Sequence, residues 1–92
     1  MSSLMLEIGK IYQFCGCSNP TFQTLGTVIK STATIHELFT GEIFILLEII
    51  KGPDSWTPLN WTRYNILTTD GIVCYFEVND SWVDPPCFKK LQ

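Results

Sequence analysis

The segment Tyr64–Val78, YNILTTDGIVCYFEV, constrains the fold more than any other part of the chain. Residues that favour β-strands lie on both sides of Asp70-Gly71, and an Asp-Gly pair between two such runs is a strong signal for a tight turn. The segment therefore predicts two antiparallel strands joined by a short loop. We expect the whole chain to be all-β.

The length of this loop decides which side chains share a face of the hairpin. A loop of two residues would place polar residues of one strand opposite aromatic residues of the other. A loop of three residues, 69–71, instead gives one consistently apolar face. Its two pairs on that face are Ile66 with Cys74 and Tyr64 with Phe76. We therefore predict the three-residue loop.

The same register has consequences for the other face and for the turn. It places Arg63 opposite Glu77, a favourable charge pair across the strands. It also turns Arg63 and Tyr75 outward, away from the apolar face. Gly71 is expected to close a type I turn in the left-handed backbone region, as a G1 bulge.

Four further segments indicate strands or the turns between them. The run EIFILLEII (Glu42–Ile50) is apolar on both faces and predicts a central strand covered on both sides. It ends at Gly52-Pro53, where a turn is expected. The remaining strand-like segments are GKIYQF from Gly9, GTVIKST from Gly26 and CFKKL from Cys87.

One short helical turn is expected between the second and third strands. Thr34 is followed three residues later by Glu37, which is the spacing of a capping box. Together these elements predict one all-β domain over residues 1–92, with about five strands. A closed barrel suits a chain of this length because closure removes the exposed strand edges that invite aggregation.

The layout resembles that of small SH3-like β-barrel proteins, of the kind often encoded by phages and bacteria. The resemblance is carried by GKIYQF, LGTVIKS, FILLEII, YNILTTDGIVCYFEV and the closing CFKKL, and it spans most of the chain. It implies a groove, between the first long loop and the loop before the fourth strand, in which aromatic side chains hold an extended peptide.

Composition and charge narrow the classes of function. Hydrophobic residues make up 46% of the chain and charged residues 16%, as in globular proteins. The net charge is −3, with only six Lys and Arg, which weighs against a protein that clamps nucleic acid by neutralising phosphates. No apolar run approaches the roughly 18 residues that span a bilayer. The N-terminus lacks a basic, apolar leader, so we expect a cytoplasmic protein that does not enter membranes.

The cysteines allow more than one interpretation. Cys15 and Cys17 form a CGC pair, but Cys74 and Cys87 do not have the close spacing of a second zinc-ligand pair. Structural thiols are the favoured interpretation, and Cys74 is expected on the apolar face of the hairpin. A metal or redox role for Cys15 and Cys17 is the alternative. Stable disulfides are not expected without a secretory route.

No residue pattern in the chain predicts catalysis. His36 is the only histidine, and its neighbour Glu37 would point away from it on a helical turn. The aspartates lie in turn-like contexts, where Asp is favoured in any case. There is no glycine-rich phosphate loop. The sequence therefore predicts a non-catalytic protein without a cofactor.

The aromatic residues are the best candidates for binding. Three tryptophans fall in turn-rich segments, where they either cap the open ends of a barrel or form an exposed surface for a partner. With the groove that the resemblance implies, the candidate binding residues are Tyr12, Phe22, Trp56, Trp61 and Trp82. We expect a module that docks on a protein partner through aromatic loops.

The alternative function belongs to a different class, the binding of single-stranded nucleic acid. Small barrels also bind single-stranded nucleic acid by stacking bases on aromatic rings, for which Phe22, Trp61 or Tyr75 would serve. That mode needs a positively charged groove, which the scattered lysines and arginine disfavour. Oligomeric state and the partner's identity do not follow from the sequence.

Overall fold

The computed structural model describes residues 6–16, 24–27, 35–36, 38–54, 57–82 and 86–92. Within these residues the chain forms seven strands and no helix. All strand pairs are antiparallel and belong to one sheet in the order β3-β2-β6-β5-β4-β1-β7. The strands are β1 (Ile11–Gly16), β2 (Thr24–Thr27), β3 (Ile35–His36), β4 (Ile43–Lys51), β5 (Trp61–Thr68), β6 (Val73–Asn79) and β7 (Cys87–Lys90).

The hairpin of β5 and β6 has the register predicted from the sequence. Its pairs include Ile66 with Cys74, Tyr64 with Phe76 and Arg63 with Glu77. The backbone N–H of Gly71 donates to the carbonyl oxygen of Thr68 at 3.0 Å, so the loop has three residues. Gly71 has φ +80°, in the left-handed region where glycine has no Cβ to clash. The predicted turn is therefore confirmed.

Strand β4 is central, as predicted, but only one of its faces is well covered. It pairs with β1 on one side and β5 on the other, and its Phe44 and Leu46 are buried. On the other face Ile43 and Leu47 are 36% and 40% exposed. The strand bulges between Leu46 and Glu48, which turns Leu47 toward solvent. The expectation of cover on both sides was therefore too strong.

Strands β1 and β7 form in the predicted segments, whereas the second and third strands differ from expectation. β2 begins at Thr24, before the predicted start at Gly26, and residues 28–34 lie outside the described residues. Ile35–His36, within the segment where a helical turn was expected, form strand β3. Thr34 and Glu37, on which the capping box rested, lie outside the described residues. The helical turn is therefore not confirmed.

The core lies on the inner face of the sheet. Alternate residues of β1, β4, β5 and β6 point to this face, and each buried side chain of this size contributes roughly 1.5–3 kcal/mol. Cys74 is among them, as predicted, and is 2% exposed. The buried hydrophobic cluster consists of Tyr12, Phe14, Leu38, Phe44, Leu46, Tyr64, Ile66, Cys74, Phe76 and Val78.

The sheet is rolled around this core. Phe88 of β7 lies with its ring centroid 5.5 Å from that of Phe44 in β4 and 5.2 Å from that of Phe76 in β6. β7 and β6 are four strand spacings apart in the sheet order, which is roughly 19 Å in a flat sheet. The contact therefore requires strong curvature. Among the described residues no strand pairing joins the two outermost strands, β3 and β7, so closure of a barrel is not observed.

Candidate functional site

A pair of tryptophans marks one end of the rolled sheet, where β4 ends and β5 begins. The ring centroids of Trp61 and Trp82 are 5.6 Å apart and their planes meet at 76°, an edge-to-face contact. Both side chains are half-buried, and Trp82 also packs against the core cluster. Leu59, two residues before Trp61, is 64% exposed. We call Leu59, Trp61 and Trp82 the tryptophan corner.

Polar contacts tie the loop of Trp82 to the strand of Trp61. The backbone N–H of Asp80 donates to the carbonyl oxygen of Asn60 at 2.7 Å. The hydroxyl of Thr62 donates to Oδ1 of Asp80 at 2.8 Å. Asn60 has φ +70°, a conformation that Asn adopts more readily than most residues. The relative positions of the two tryptophans are therefore set by both loops together.

The loop before β5 folds back on the same strand. The backbone N–H of Gly52 donates to the carbonyl oxygen of Trp61 at 2.8 Å, and Asp54 and Thr57 exchange backbone hydrogen bonds of 2.8 and 3.2 Å. A Cβ atom at Gly52 would overlap the carbonyl oxygen of Pro58, so only glycine fits there. Thr57, within the same loop, is completely buried. Leu59, near the end of this loop, remains 64% exposed.

The charges around the tryptophan corner are mixed but include two exposed carboxylates. Asp54 and Asp80 are exposed on the two loops that form the corner. Lys51, at the end of β4, is an exposed cation three residues before Asp54. An apolar patch with carboxylates on its rim suits a segment that carries both an apolar and a basic side chain.

The structure separates the candidate binding residues predicted from the sequence. Tyr12 is 2% exposed and belongs to the core, and its hydroxyl accepts a 2.7 Å hydrogen bond from the backbone N–H of Glu7. Trp61 and Trp82 come together. Phe22 and Trp56 lie outside the described residues. Leu59 was not predicted, although an apolar residue within a turn-rich segment was a signal that could have found it.

The outer face of the β5–β6 hairpin carries a second group of functional interest. The guanidinium carbon of Arg63 lies 3.9 Å from the ring centroid of Tyr75, a cation–π contact. Arg63 Nε donates to Oδ1 of Asn65 at 3.3 Å, and Nδ2 of Asn65 donates to a carboxylate oxygen of Glu48 at 2.7 Å. Arg63 and Tyr75 point outward as predicted, but Arg63 covers one face of the Tyr75 ring.

Glu77 is held in an unfavourable position on this outer face. Its Oε2 atom is buried and has no hydrogen-bond partner among the described residues. Burial raises the pKa of Glu77, and the charge of Arg63 opposes that shift only in part. Burial removes water from a carboxylate and so destabilises its charged form. The charged side chain of Glu77 therefore lowers the stability of the folded protein at neutral pH.

Three of the four cysteines, Cys15, Cys74 and Cys87, lie among the described residues. No group of three or more His, Cys, Asp or Glu side chains that could hold a metal ion occurs in the part of the chain that the structure describes. Cys17, one of the two residues of the metal alternative, lies outside that part. Cys15 and Cys87 are exposed, and Cys74 is buried. Burial, and secondarily the charge of Glu42, raises the pKa of Cys74 to about 11, so its thiol stays protonated at neutral pH.

Membrane insertion by a helix has no support in the described residues, since none of them forms a helix long and apolar enough to cross a bilayer. Comparison of the chain with protein-family models, with curated proteins and with solved structures found no match.

Proposed function

We propose that the protein is a non-catalytic interaction module, a small SH3-like barrel of the kind that phages and bacteria encode, which docks in the cytoplasm on a protein partner through its aromatic loops. The rolled antiparallel sheet, the tight hairpin and the short terminal strand support the SH3-like part of the proposal. The tryptophan corner supports the binding part.

The observation that carries the proposal is the contact between Trp61 and Trp82, with the exposed Leu59 two residues before Trp61 in the chain. Trp and Tyr dominate binding hot spots because they offer large apolar area at low cost in conformational entropy. Trp61 and Trp82 are held by backbone hydrogen bonds in both loops, so little ordering remains to be done on binding. Leu59 adds an apolar contact that the fold itself leaves 64% exposed.

The chemistry of the corner favours an extended peptide that carries an apolar side chain next to a lysine or arginine. The apolar side chain would contact Leu59 and the tryptophan rings, and the basic one would lie near Asp54 or Asp80. The net charge of −3 adds long-range attraction for a basic segment, which raises the association rate more than the affinity.

Single-stranded nucleic acid is the competing ligand, and the outer face is where it would bind. Tyr75 is outward and accompanied by the cation Arg63, which is the combination that stacks bases. However, Arg63 occupies one face of the Tyr75 ring. The carboxylates of Glu48 and Glu77 lie on β4 and β6, the two strands beside that of Arg63. Repulsion between these carboxylates and phosphates weighs against this ligand.

The test is a selection from a random library of displayed peptides, followed by titration of the purified protein with synthetic copies of the selected peptides. A homopolymeric single-stranded DNA oligonucleotide is titrated in parallel. The Leu59→Ala variant removes the exposed tip of the corner. The matched control is Phe39→Ala, because Phe39 is 62% exposed but lies before β4, at the opposite end of the sheet.

The proposal would be supported if the selected peptides carry an apolar and a basic residue. Leu59→Ala should then bind them with several-fold lower affinity, and Phe39→Ala with unchanged affinity. Binding of the oligonucleotide with a strong dependence on salt and no effect of Leu59→Ala would replace it with the nucleic-acid function. Peptide binding that Phe39→Ala weakens instead would move the site to the other end of the sheet.

A further inference from the structure

Strands β1 and β7 bring two exposed thiols to the same point of the outer face. Phe14 pairs with Phe88 and Gly16 pairs with Cys87, and the register shifts between these two pairs. Cys15 is the extra residue of this bulge, so Cys15 and Gly16 together oppose Cys87. The side chains of Phe14 and Phe88 point into the core, and Cys15 and Cys87 are both exposed.

The geometry of a bulge allows a bond between these two thiols. Directly paired residues such as Gly16 and Cys87 have Cα atoms roughly 4.5–5.5 Å apart, and Cys15 is the residue beside Gly16 in the same bulge. Disulfides join residues whose Cα atoms are roughly 4.4–6.8 Å apart, a range that begins close to this spacing. The Cys15 thiol donates a 3.6 Å hydrogen bond to the carbonyl oxygen of Gln13. Desolvation, and then the neighbouring Cys15 thiol, raise the pKa of Cys87. The register of β1 and β7 therefore brings the two cysteines next to each other across the strands.

We propose that Cys15 and Cys87 form a reversible dithiol site that exchanges with small-molecule disulfides such as glutathione disulfide. One of the two cysteines, as its thiolate, attacks a sulfur of glutathione disulfide and displaces one glutathione thiolate. The second cysteine thiolate then attacks the protein sulfur of this mixed disulfide and displaces the other glutathione. Two protein thiols are oxidised to one disulfide, one disulfide is reduced to two glutathione thiols, and the protons pass to these thiols or to water.

The consequence of oxidation follows from the position of β7. This strand is the last in the sheet order, and it pairs with β1 alone among the described strands. Its Phe88 nevertheless fills the core against three other phenylalanines: Phe14, Phe44 and Phe76. A bond from Cys87 to Cys15 would hold β7 against β1 and so keep Phe88 in place. The dithiol site acts as a clasp on the rolled sheet.

Cys74 provides an internal reference for this site. It is 2% exposed and its pKa is about 11, so it neither meets glutathione disulfide nor forms a thiolate in the folded protein at neutral pH. Reactivity confined to Cys15 and Cys87 would therefore reflect the folded structure.

The experiment treats the folded, natural chain at neutral pH with buffers of reduced and oxidised glutathione, quenches the thiols by alkylation and maps the disulfides by mass spectrometry of peptides. A bond between Cys15 and Cys87 is expected, with a mass loss of two hydrogen atoms and Cys74 unmodified. A bond from Cys17 to either cysteine, or separate glutathione adducts on Cys15 and Cys87, would overturn the proposal.

The clasp is tested on a Cys17→Ser variant, in which the competing thiol is absent. Because the bond closes a loop of most of the chain, oxidation is expected to raise the midpoint of thermal unfolding by roughly 10 °C or more. The matched control is the Cys17→Ser chain with Cys87→Ser, for which the same buffer should leave the midpoint unchanged. A bond that forms without raising the midpoint, or that lowers it, would show that it distorts the strands and is not a clasp.

Discussion

Phe88 in β7 stacks on Phe76 in β6, with ring centroids 5.2 Å apart and planes at 27°. β5, β4 and β1 lie between these two strands in the sheet order. The stack is therefore made across the inside of the roll and not along the sheet. It ties the C-terminal strand to the hairpin by side-chain packing alone, since no backbone pairing between β7 and β6 occurs among the described residues.

We predict that Phe88→Ala lowers the free energy of unfolding by about 3 kcal/mol, because it removes ring contacts to three phenylalanines and leaves a cavity inside the roll. Urea denaturation followed by tryptophan fluorescence measures the change. Phe39→Ala, which removes an exposed ring, should change it by less than about 0.5 kcal/mol. Equal effects of the two substitutions would contradict the rolled arrangement.

The hairpin turn gives a prediction that separates backbone strain from packing. Gly71 has φ +80° and nothing within 4 Å of the position of a Cβ atom, so a new side chain there meets no neighbour. Gly71→Val should nevertheless lower the free energy of unfolding by more than about 1 kcal/mol, because a β-branched residue is strained at positive φ. Gly71→Asn is the matched control and should cost clearly less, since Asn tolerates this region. Coincident thermal melts of Gly71→Val and the parent would show that the turn assignment is wrong.

Glu77 gives a prediction about pH. Burial raises its pKa in the folded protein above the ordinary value of 4.5, so the folded state binds a proton more tightly than the unfolded state. The resulting contribution to stability is fully present below pH 4.5 and is lost as the pH rises through the raised pKa. Glu77→Gln should therefore be more stable than the parent at pH 7, and the difference should shrink toward pH 4.

Thermal melts over this pH range test the prediction for Glu77. Asp70→Asn, which neutralises an exposed carboxylate in the hairpin turn, should change stability by less than about 0.5 kcal/mol at pH 7. A Glu77→Gln protein that is less stable than the parent at pH 7 would mean that attraction to Arg63 outweighs the cost of burial.

The tryptophans give a prediction about binding. Trp61→Ala and Trp56→Ala should weaken binding of a selected peptide more than they lower stability, with a loss of affinity of about tenfold or more for Trp61. Trp61 also packs on Trp82, so some loss of stability is expected from that substitution. Isothermal titration and thermal melts of the same samples separate the two effects. A large loss of stability with peptide affinity retained would assign both tryptophans a structural role.

Much of the local structure follows from the sequence alone, because it depends on interactions between residues close in the chain. The hairpin, its three-residue loop and the outward position of Tyr75 were predicted from local features. These features are the alternation of apolar residues, the preference of glycine for positive φ and the pairing of apolar residues on one face. Strands β1, β4 and β7 were predicted for the same reason. The helical turn was predicted from a short capping pattern and is not confirmed, since the described residues of that segment, Ile35–His36, pair with β2 as strand β3.

The tertiary structure alone decided which distant residues meet. The contact of Phe88 with Phe76, the position of Tyr12 in the core and the apposition of Cys15 and Cys87 all depend on the strand order and the curvature of the sheet. Neither property leaves a periodic pattern in the sequence, because many strand orders bury the same alternating residues equally well. The sequence thus determined the hairpin, its faces and most of the other strands, whereas packing of the whole chain determined the core, the tryptophan corner and the thiol pair.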